Sequence, residues 1–161
     1  MIPRVGTPPL PETSYRLRPG AYAVILRGGQ VLLTRQQLET HSEVQLPGGG
    51  IDPGEAPIPA LHREILEETG YTCRVSHRIG AYRRFVWMAE YGFHAEKLCV
   101  FYLAKAGLHT GPAQEFGHTA LWLSPQEALA NLSNRHDRPV LARALTLAQN
   151  GQRPRKGRAP S

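Results

Sequence analysis

Three carboxylates and an arginine crowd one short stretch of the chain, LHREILEETG at residues 61–70. Glu64, Glu67 and Glu68 repel one another at helical spacing, and they stand near the negative end of any helix that stops at Gly70. With about 100° per residue and Glu64 at zero, Glu67 falls at about 300° and Glu68 at about 40°, so the acids share about a third of the circumference. Leu61, Ile65, Ile58 and Leu66 occupy the arc from about 60° to about 200°. The acids are therefore expected beside the apolar face and not within it, with Arg63 at about 260° bordering them. A cluster of glutamates is most often a solvated face, and like charges at i,i+4 cost only about 0.2–0.5 kcal/mol. The loop upstream favours a site instead. Gly48, Gly49 and Gly50 can approach a ligand closely, Pro47 and Pro53 brace the loop, and Glu55 adds a fourth acid. Hard divalent cations take oxygen ligands, and magnesium commonly joins carboxylates to substrate phosphate oxygens. The chemistry these residues suit is a magnesium–phosphate site.

The segment GGIDPGEAPIPALHREILEETGY, residues 49–71, resembles the box that marks Nudix hydrolases. Gly49, Glu55, Arg63, Glu64, Ile65, Glu67, Glu68 and Gly70 all fall in its register. Tyr71 stands where an aliphatic residue is usual, and Pro57 and Pro59 open the helix; neither change removes a ligand. The resemblance implies an α/β/α sandwich around a central mixed β-sheet. It implies hydrolysis of a nucleoside diphosphate linked to another moiety, with Mg2+ or Mn2+ as cofactor. Glu64, Glu67 and Glu68 would be the ligands, with the Gly49 carbonyl as a further one. Arg63 would orient a glutamate, Glu55 would brace the loop or hold water-bound metal, and Glu67 and Glu64 would belong to the catalytic group. The family draws its general base from the box helix or from a later loop. Glu115, in GPAQEFGHTALW, is the leading downstream candidate, followed by His118.

Substrate choice is expected outside the box. YRRFVWMAEYGFHAEK, residues 82–97, combines Arg83, Arg84 and Lys97 with Tyr82, Phe85, Trp87, Tyr91 and Phe93. Cations suit phosphates and aromatic faces suit a nucleobase. Gly48, Gly49, Arg83, Arg84 and Tyr91 are the substrate-binding candidates. Residues 72–111 lack the proline common in the ADP-ribose subgroup, and a tyrosine here resembles the dinucleoside polyphosphate subgroup. Two other readings stand beside the nucleotide pyrophosphohydrolase. One is a Nudix-fold nucleotide-binding or regulatory module without catalysis, against which the intact acids argue. The other is a pyrophosphohydrolase of RNA 5′ ends that grips nucleic acid with the basic tail. No GxxxxGK[ST], HExxH or GxSxG pattern is present, which leaves a Walker-type NTPase, a zincin and a serine hydrolase without a foothold.

The elements that must position these residues follow from the pattern. AYAVIL (21–26) and QVLLT (30–34) flank Arg27-Gly28-Gly29, a hairpin signal. Residues 40–55 read as a short strand running into a Gly- and Pro-rich loop. Residues 57–69 read as a helix, with proline tolerated in its first turn and Gly70 beyond its end. Strands are expected at 71–77, 79–88, 96–106 and 118–124. A helix follows with Ser124 as N-cap, and a last helix spans about 138–150. The class is α/β with a mixed sheet, organised as an irregular lead-in (1–17), one domain (18–150) and a basic, disordered tail (151–161). The net charge is +6, and Arg153, Arg155, Lys156 and Arg158 supply four of it, leaving +2 for residues 1–150. Cys73 and Cys99 lie far apart with no metal-ligand spacing and are expected as reduced thiols in a cytoplasmic protein. No apolar run approaches the ~20 residues needed to span a bilayer. The expected partner is a nucleotide or nucleotide derivative, with a homodimer as the open oligomeric alternative.

Overall fold

The computed structural model describes residues 1–152 and shows a seven-stranded mixed sheet with helices on both faces. The centre is β1 (Arg16–Arg27), whose side chains alternate between the two cores. Ala21, Ala23 and Ile25 point to one core, and Tyr22, Val24 and Leu26 to the other. Because both faces are covered, the strand reads as an almost unbroken apolar run. It pairs antiparallel with β2 (Gln30–Gln37) through the turn at Gly28 and Gly29, whose φ values of 55° and 75° suit glycine. Along its other side it pairs in parallel with β6 (Phe93–His109), from Arg16 opposite Ala95 to Leu26 opposite Lys105.

The remaining strands extend this centre. β3 (Ser42–Gln45) and β7 (His118–Leu123) pair with β2, and β5 (Tyr71–Met88) pairs antiparallel with β6. The segments expected separately at 71–77 and 79–88 are one strand, β5, which absorbs its break as a register shift between Arg78 and Gly80. The loop expected around Gly48 contains a further strand. Gly48–Gly50 forms β4, antiparallel to Gly20–Tyr22 of β1.

Helix α1 (Pro57–Thr69) packs Leu61 and Ile65, both fully buried, on the Ala21 face. Each contributes about 1.5–3 kcal/mol of apolar burial. The helix stops at Gly70, whose φ of 75° places it in the left-handed region and whose N–H donates to the Leu66 carbonyl at 2.9 Å. Helix α2 (Pro125–Asn131) and helix α3 (Arg138–Gln152) cover the Tyr22 face, joined by a 3-10 turn at Arg135–Asp137. Ser124 caps α2 by accepting from the Glu127 N–H at 3.2 Å.

Both chain ends differ in detail from the sequence reading. Within the lead-in, Arg83 and the Pro3–Val5 segment exchange two backbone hydrogen bonds, covering the outer edge of β5, and β1 already begins at Arg16. Helix α3 takes in Gly151 and Gln152, and the rest of the basic tail lies outside the described residues. Cys73 and Cys99 are free thiols, each pushed up to about 11 by burial. No helix among the described residues is long and apolar enough to cross a membrane.

Candidate metal and phosphate site

The site begins with three glycines between the central strand and helix α1. Gly48 has φ 143°, and a β-carbon there would run into the Ala21 carbonyl and Tyr22 Cα. Its N–H donates to Glu68 Oε2 at 3.2 Å. A β-carbon at Gly49 would lie 2.6 Å from the Glu64 carboxylate, whereas one at Gly50 would meet nothing within 4 Å. Gly48 is therefore fitted against the central strand, and Gly49 against the Glu64 carboxylate of the helix.

Helix α1 is rotated relative to the arc read from sequence. Leu66 is 41% exposed, and Glu68 is 6% exposed, inside the buried arc with Leu61 and Ile65. The expectation that all three acids lie beside the apolar face therefore fails for Glu68. A carboxyl in that position is tolerated because the Gly48 N–H faces it and because it can hold a proton. Burial first, then the charges of Glu115, Glu64 and Glu67, push its carboxyl up to about 9 against the pull of that N–H. Glu64 is shifted upward as well, by burial, with Arg63 opposing. At both carboxyls burial is the largest cause, and the neighbouring acids add to it.

Arg63 is the hub of the surrounding ion pairs. Its guanidinium reaches Glu55 at 2.7 Å, Glu64 at 2.9 Å, and Asp52 and Glu67 each at 3.4 Å. It also donates to the Gly50 carbonyl at 3.2 Å. Glu55 accepts from the Asp52 N–H at 2.9 Å, and its bonds from Arg63 and that N–H hold it down at about 2. Glu55 thus ties the loop to the helix.

Glu115 arrives from a distant loop. Its N–H and that of Gln114 both donate to the Glu67 carbonyl, at 2.9 and 2.8 Å. They occupy a carbonyl that the end of α1 leaves without an intrahelical partner. This anchoring brings Glu115 into two groups whose ligand atoms lie within 4.8 Å of one another: with Glu64 and Glu67, and with Glu68 and His118. His118 Nδ1 lies 2.9 Å from Thr34 Oγ1 and 4.0 Å from Glu68 Oε1, and burial shifts the ring toward its neutral form. The box glutamates, Glu115 and His118 therefore converge. Oxygen donors dominate the set, and magnesium and manganese prefer such donors.

The substrate candidates of residues 82–97 divide between two faces of β5. Arg84 faces a cavity of about 390 Å³ beside Tyr22, Tyr82, Lys97 and Asp137. Arg83 alternates to the opposite face and pairs with Glu96 at 3.3 Å. Tyr91, 57% exposed, stacks on Phe93 with ring centres 5.8 Å apart and lies under the Arg18 guanidinium at 5.1 Å. Sequence reasoning passed over Tyr22 and Asp137, and one signal was available: Tyr22 interrupts the apolar run of β1. Tyr22 is opposite Gly48 in the β1–β4 pairing, so the cavity and the acid cluster meet at one residue pair.

Comparison with known proteins fits this arrangement. The family profile described as the NUDIX domain matches residues 16–144. The CTP pyrophosphohydrolase of Escherichia coli is 30% identical over 128 residues, which are 78% of this chain and 89% of that protein. The RNA pyrophosphohydrolase of Helicobacter pylori is 37% identical over 59 residues, 34% of this chain, and the match spans only 38% of that protein's length. Among solved structures, a NUDIX hydrolase from Nitrosomonas europaea superposes with a TM-score of 0.64 at 24% identity, covering 86% of this chain and 92% of that one.

Proposed function

The chain belongs to the Nudix hydrolase family, and from that premise we propose that it is a divalent-metal-dependent pyrophosphohydrolase of nucleoside diphosphates linked to a further group. One observation carries the reading. Glu115 leaves its own loop to stand with Glu64 and Glu67, and with Glu68 and His118, within 4.8 Å across ligand atoms. Glu64, Glu67 and Glu68, with the Gly49 carbonyl, would hold Mg2+, or Mn2+ in its place. The ion would neutralise pyrophosphate charge and make the phosphorus more electrophilic.

The chain's own groups supply the rest. Gly48 and Gly49 let the diphosphate come close to the backbone. Arg63 fixes the Glu64 and Glu67 carboxylates so that their geometry does not depend on the substrate. A carboxylate oxygen of Glu115 takes the proton of the attacking water. The water oxygen forms the new bond to phosphorus, the bridging P–O bond breaks, and a mononucleotide and the phosphorylated remainder leave. Arg84 faces the nucleoside in the cavity beyond Tyr22. Tyr91 offers an exposed ring to the part of the substrate that projects outward, and Arg83 adds positive charge beside it.

The test is product analysis with Mg2+ or Mn2+ over a panel of nucleoside triphosphates, dinucleoside polyphosphates, nucleotide sugars, NADH, coenzyme A and triphosphorylated RNA. Release of a mononucleotide, or of pyrophosphate from the RNA, from at least one member, lost in Glu67→Gln and strongly slowed in Glu115→Gln, is the expected result. No release from any member with either ion would overturn the proposal.

A further inference from the structure

A second cavity, of about 340 Å³, also borders Arg84 and lies between the lead-in, β5 and the turn that joins α2 to α3. Its lining includes Arg84, Arg135 and His136, the hydroxyls of Thr7 and Ser133, and no acid. Glu43, Glu90 and Asp137 line the neighbouring cavity beside Tyr22 instead, where Tyr82 Oη donates to Asp137 at 2.7 Å. Hydrogen bonds fix both walls. The Val5 N–H donates to the Arg83 carbonyl at 2.9 Å and the Arg83 N–H to the Pro3 carbonyl at 2.8 Å, which ties the lead-in along β5. The chain then turns at Gly6, φ 71°, where a β-carbon would stand 3.5 Å from His136 Nε2 and 3.9 Å from Arg84 Cγ. Opposite, the Ser133 N–H donates to the Val44 carbonyl at 3.0 Å and the Val44 N–H to Ser133 Oγ at 2.9 Å. Asn134 Oδ1 accepts from the His136 N–H at 3.0 Å and holds the turn.

The donors on these walls are unspent. Arg83 pairs with Glu96, but Arg84 and Arg135 form no ion pair and no side-chain hydrogen bond among the described residues. Ser133 Oγ accepts from Val44, which leaves its own proton to donate. Burial, then the charges of Arg84 and Arg135, shift the His136 ring toward its neutral form, in which one nitrogen still donates. Two guanidiniums, an imidazole and two hydroxyls thus share one space with no carboxylate among them.

We propose that this cavity binds a phosphate group, held by Arg84 and Arg135 with His136, Ser133 and Thr7 as further donors, at a site separate from the acid cluster. Guanidinium forks match phosphate oxygens in pairs, and a phosphate group offers acceptor oxygens to donors arriving from several sides. The group has two sources. Arg84, Ser133 and Asn134 line both cavities, so a nucleotide seated beside Tyr22 would bring it as a second phosphate on its ribose. That source rests on the pyrophosphohydrolase reading above. The other source is free phosphate, which needs no neighbour in the adjoining cavity.

Calorimetric titration of the full chain, with chelator in place of metal and chloride holding the ionic strength constant, reads the site without catalysis. The probes are inorganic phosphate, AMP, and adenosine 2′,5′- and 3′,5′-bisphosphate. A bisphosphate bound at least about 10-fold more tightly than AMP, with that ratio falling at least about 5-fold in Arg135→Gln, assigns the group to the nucleotide. Bisphosphates no tighter than AMP, with inorganic phosphate bound one to one and at least about 5-fold more weakly in Arg135→Gln, assign it to a free anion. Arg135 is exposed, and a ratio of affinities within one variant does not depend on the fraction folded. Absence of both the bisphosphate preference and phosphate binding would overturn the inference, as would either one unchanged in Arg135→Gln. The two readings fail separately. Turnover without phosphate binding that depends on Arg135 overturns only this site, whereas such binding without hydrolysis overturns only the pyrophosphohydrolase.

Discussion

Replacing Gly48, Gly49 and Gly50 one at a time by alanine separates fold from site within a single three-residue strand. At Gly48 the backbone has φ 143°, and the added carbon would strike the Ala21 carbonyl and Tyr22 Cα, which belong to the central strand and cannot yield. Left-handed strain and overpacking each cost about 1–3 kcal/mol. Gly48→Ala should therefore lose about 3 kcal/mol or more, or about 6–12 °C in Tm for a chain of this size. At Gly49 the backbone carries no such strain. The new carbon would lie 2.6 Å from the Glu64 carboxylate, where ordinary contact begins near 3.4 Å. The carboxylate must retreat by about 1 Å, and a displacement of about that size can cost on the order of 100-fold in turnover. Gly49→Ala should thus melt close to wild type, bind Mg2+ at least about 10-fold more weakly and turn over about 100-fold more slowly. At Gly50 nothing lies within 4 Å, and Gly50→Ala should stay within about 0.5 kcal/mol of wild type with full activity. Thermal melting, calorimetric titration with Mg2+ and product release from the same three preparations decide the matter. Wild-type metal affinity and turnover in Gly49→Ala, or a wild-type melting temperature in Gly48→Ala, would refute the reasoning.

Three further predictions concern the residues around this strand. Arg63→Lys keeps the charge but cannot reach four carboxylates and the Gly50 carbonyl together, so turnover should fall about 10–100-fold while stability, measured by denaturant, changes by about 1 kcal/mol or less. Glu68 has a carboxyl raised to about 9 in the folded protein, so in metal-free solution the folded state holds a proton that the unfolded state releases above its ordinary range. Its ionisation then penalises the fold increasingly as pH rises from about 4.5 toward 9. Metal-free Glu68→Gln should match wild-type stability near pH 4 and exceed it at pH 8, as read by melting curves at both pH values. Ser124→Ala removes the cap of α2 and should cost about 1 kcal/mol, lowering Tm by about 2–4 °C without altering the ratio of turnover among substrates.

The box helix was legible because its limits are local. Pro57 marks its first turn, Gly70 its end, and Ser124 likewise marks the start of α2. The rotation of α1 was not legible, since Leu66 counts as apolar in any periodicity yet faces solvent, while Glu68 counts as polar yet is buried against Gly48. A three-glycine strand has no side chain with which to announce itself, and only its pairing with Gly20–Tyr22 makes it a strand. Glu115 was named as a candidate from its loop alone, whereas the means by which it reaches the acids, a double hydrogen bond to the Glu67 carbonyl, is a tertiary fact. The cavity draws Tyr22, Arg84, Lys97 and Asp137 from four separate segments, a gathering that no spacing rule reports.

The parallel pairing of β1 with β6 also sets a timetable. Arg16 through Leu26 cannot acquire this neighbour until Ala95 through Lys105 exist, and contacts so distant along the chain are slow to close. During synthesis the box helix and its glycines emerge well before the strand that completes the sheet behind them. His118 and the residue that escorts Glu115 emerge later still. A ribosome stalled before residue 115 would carry an intact box without Glu115 and His118 beside it. The box acids are among the earlier residues made, and their cluster is among the last parts of the molecule to be completed.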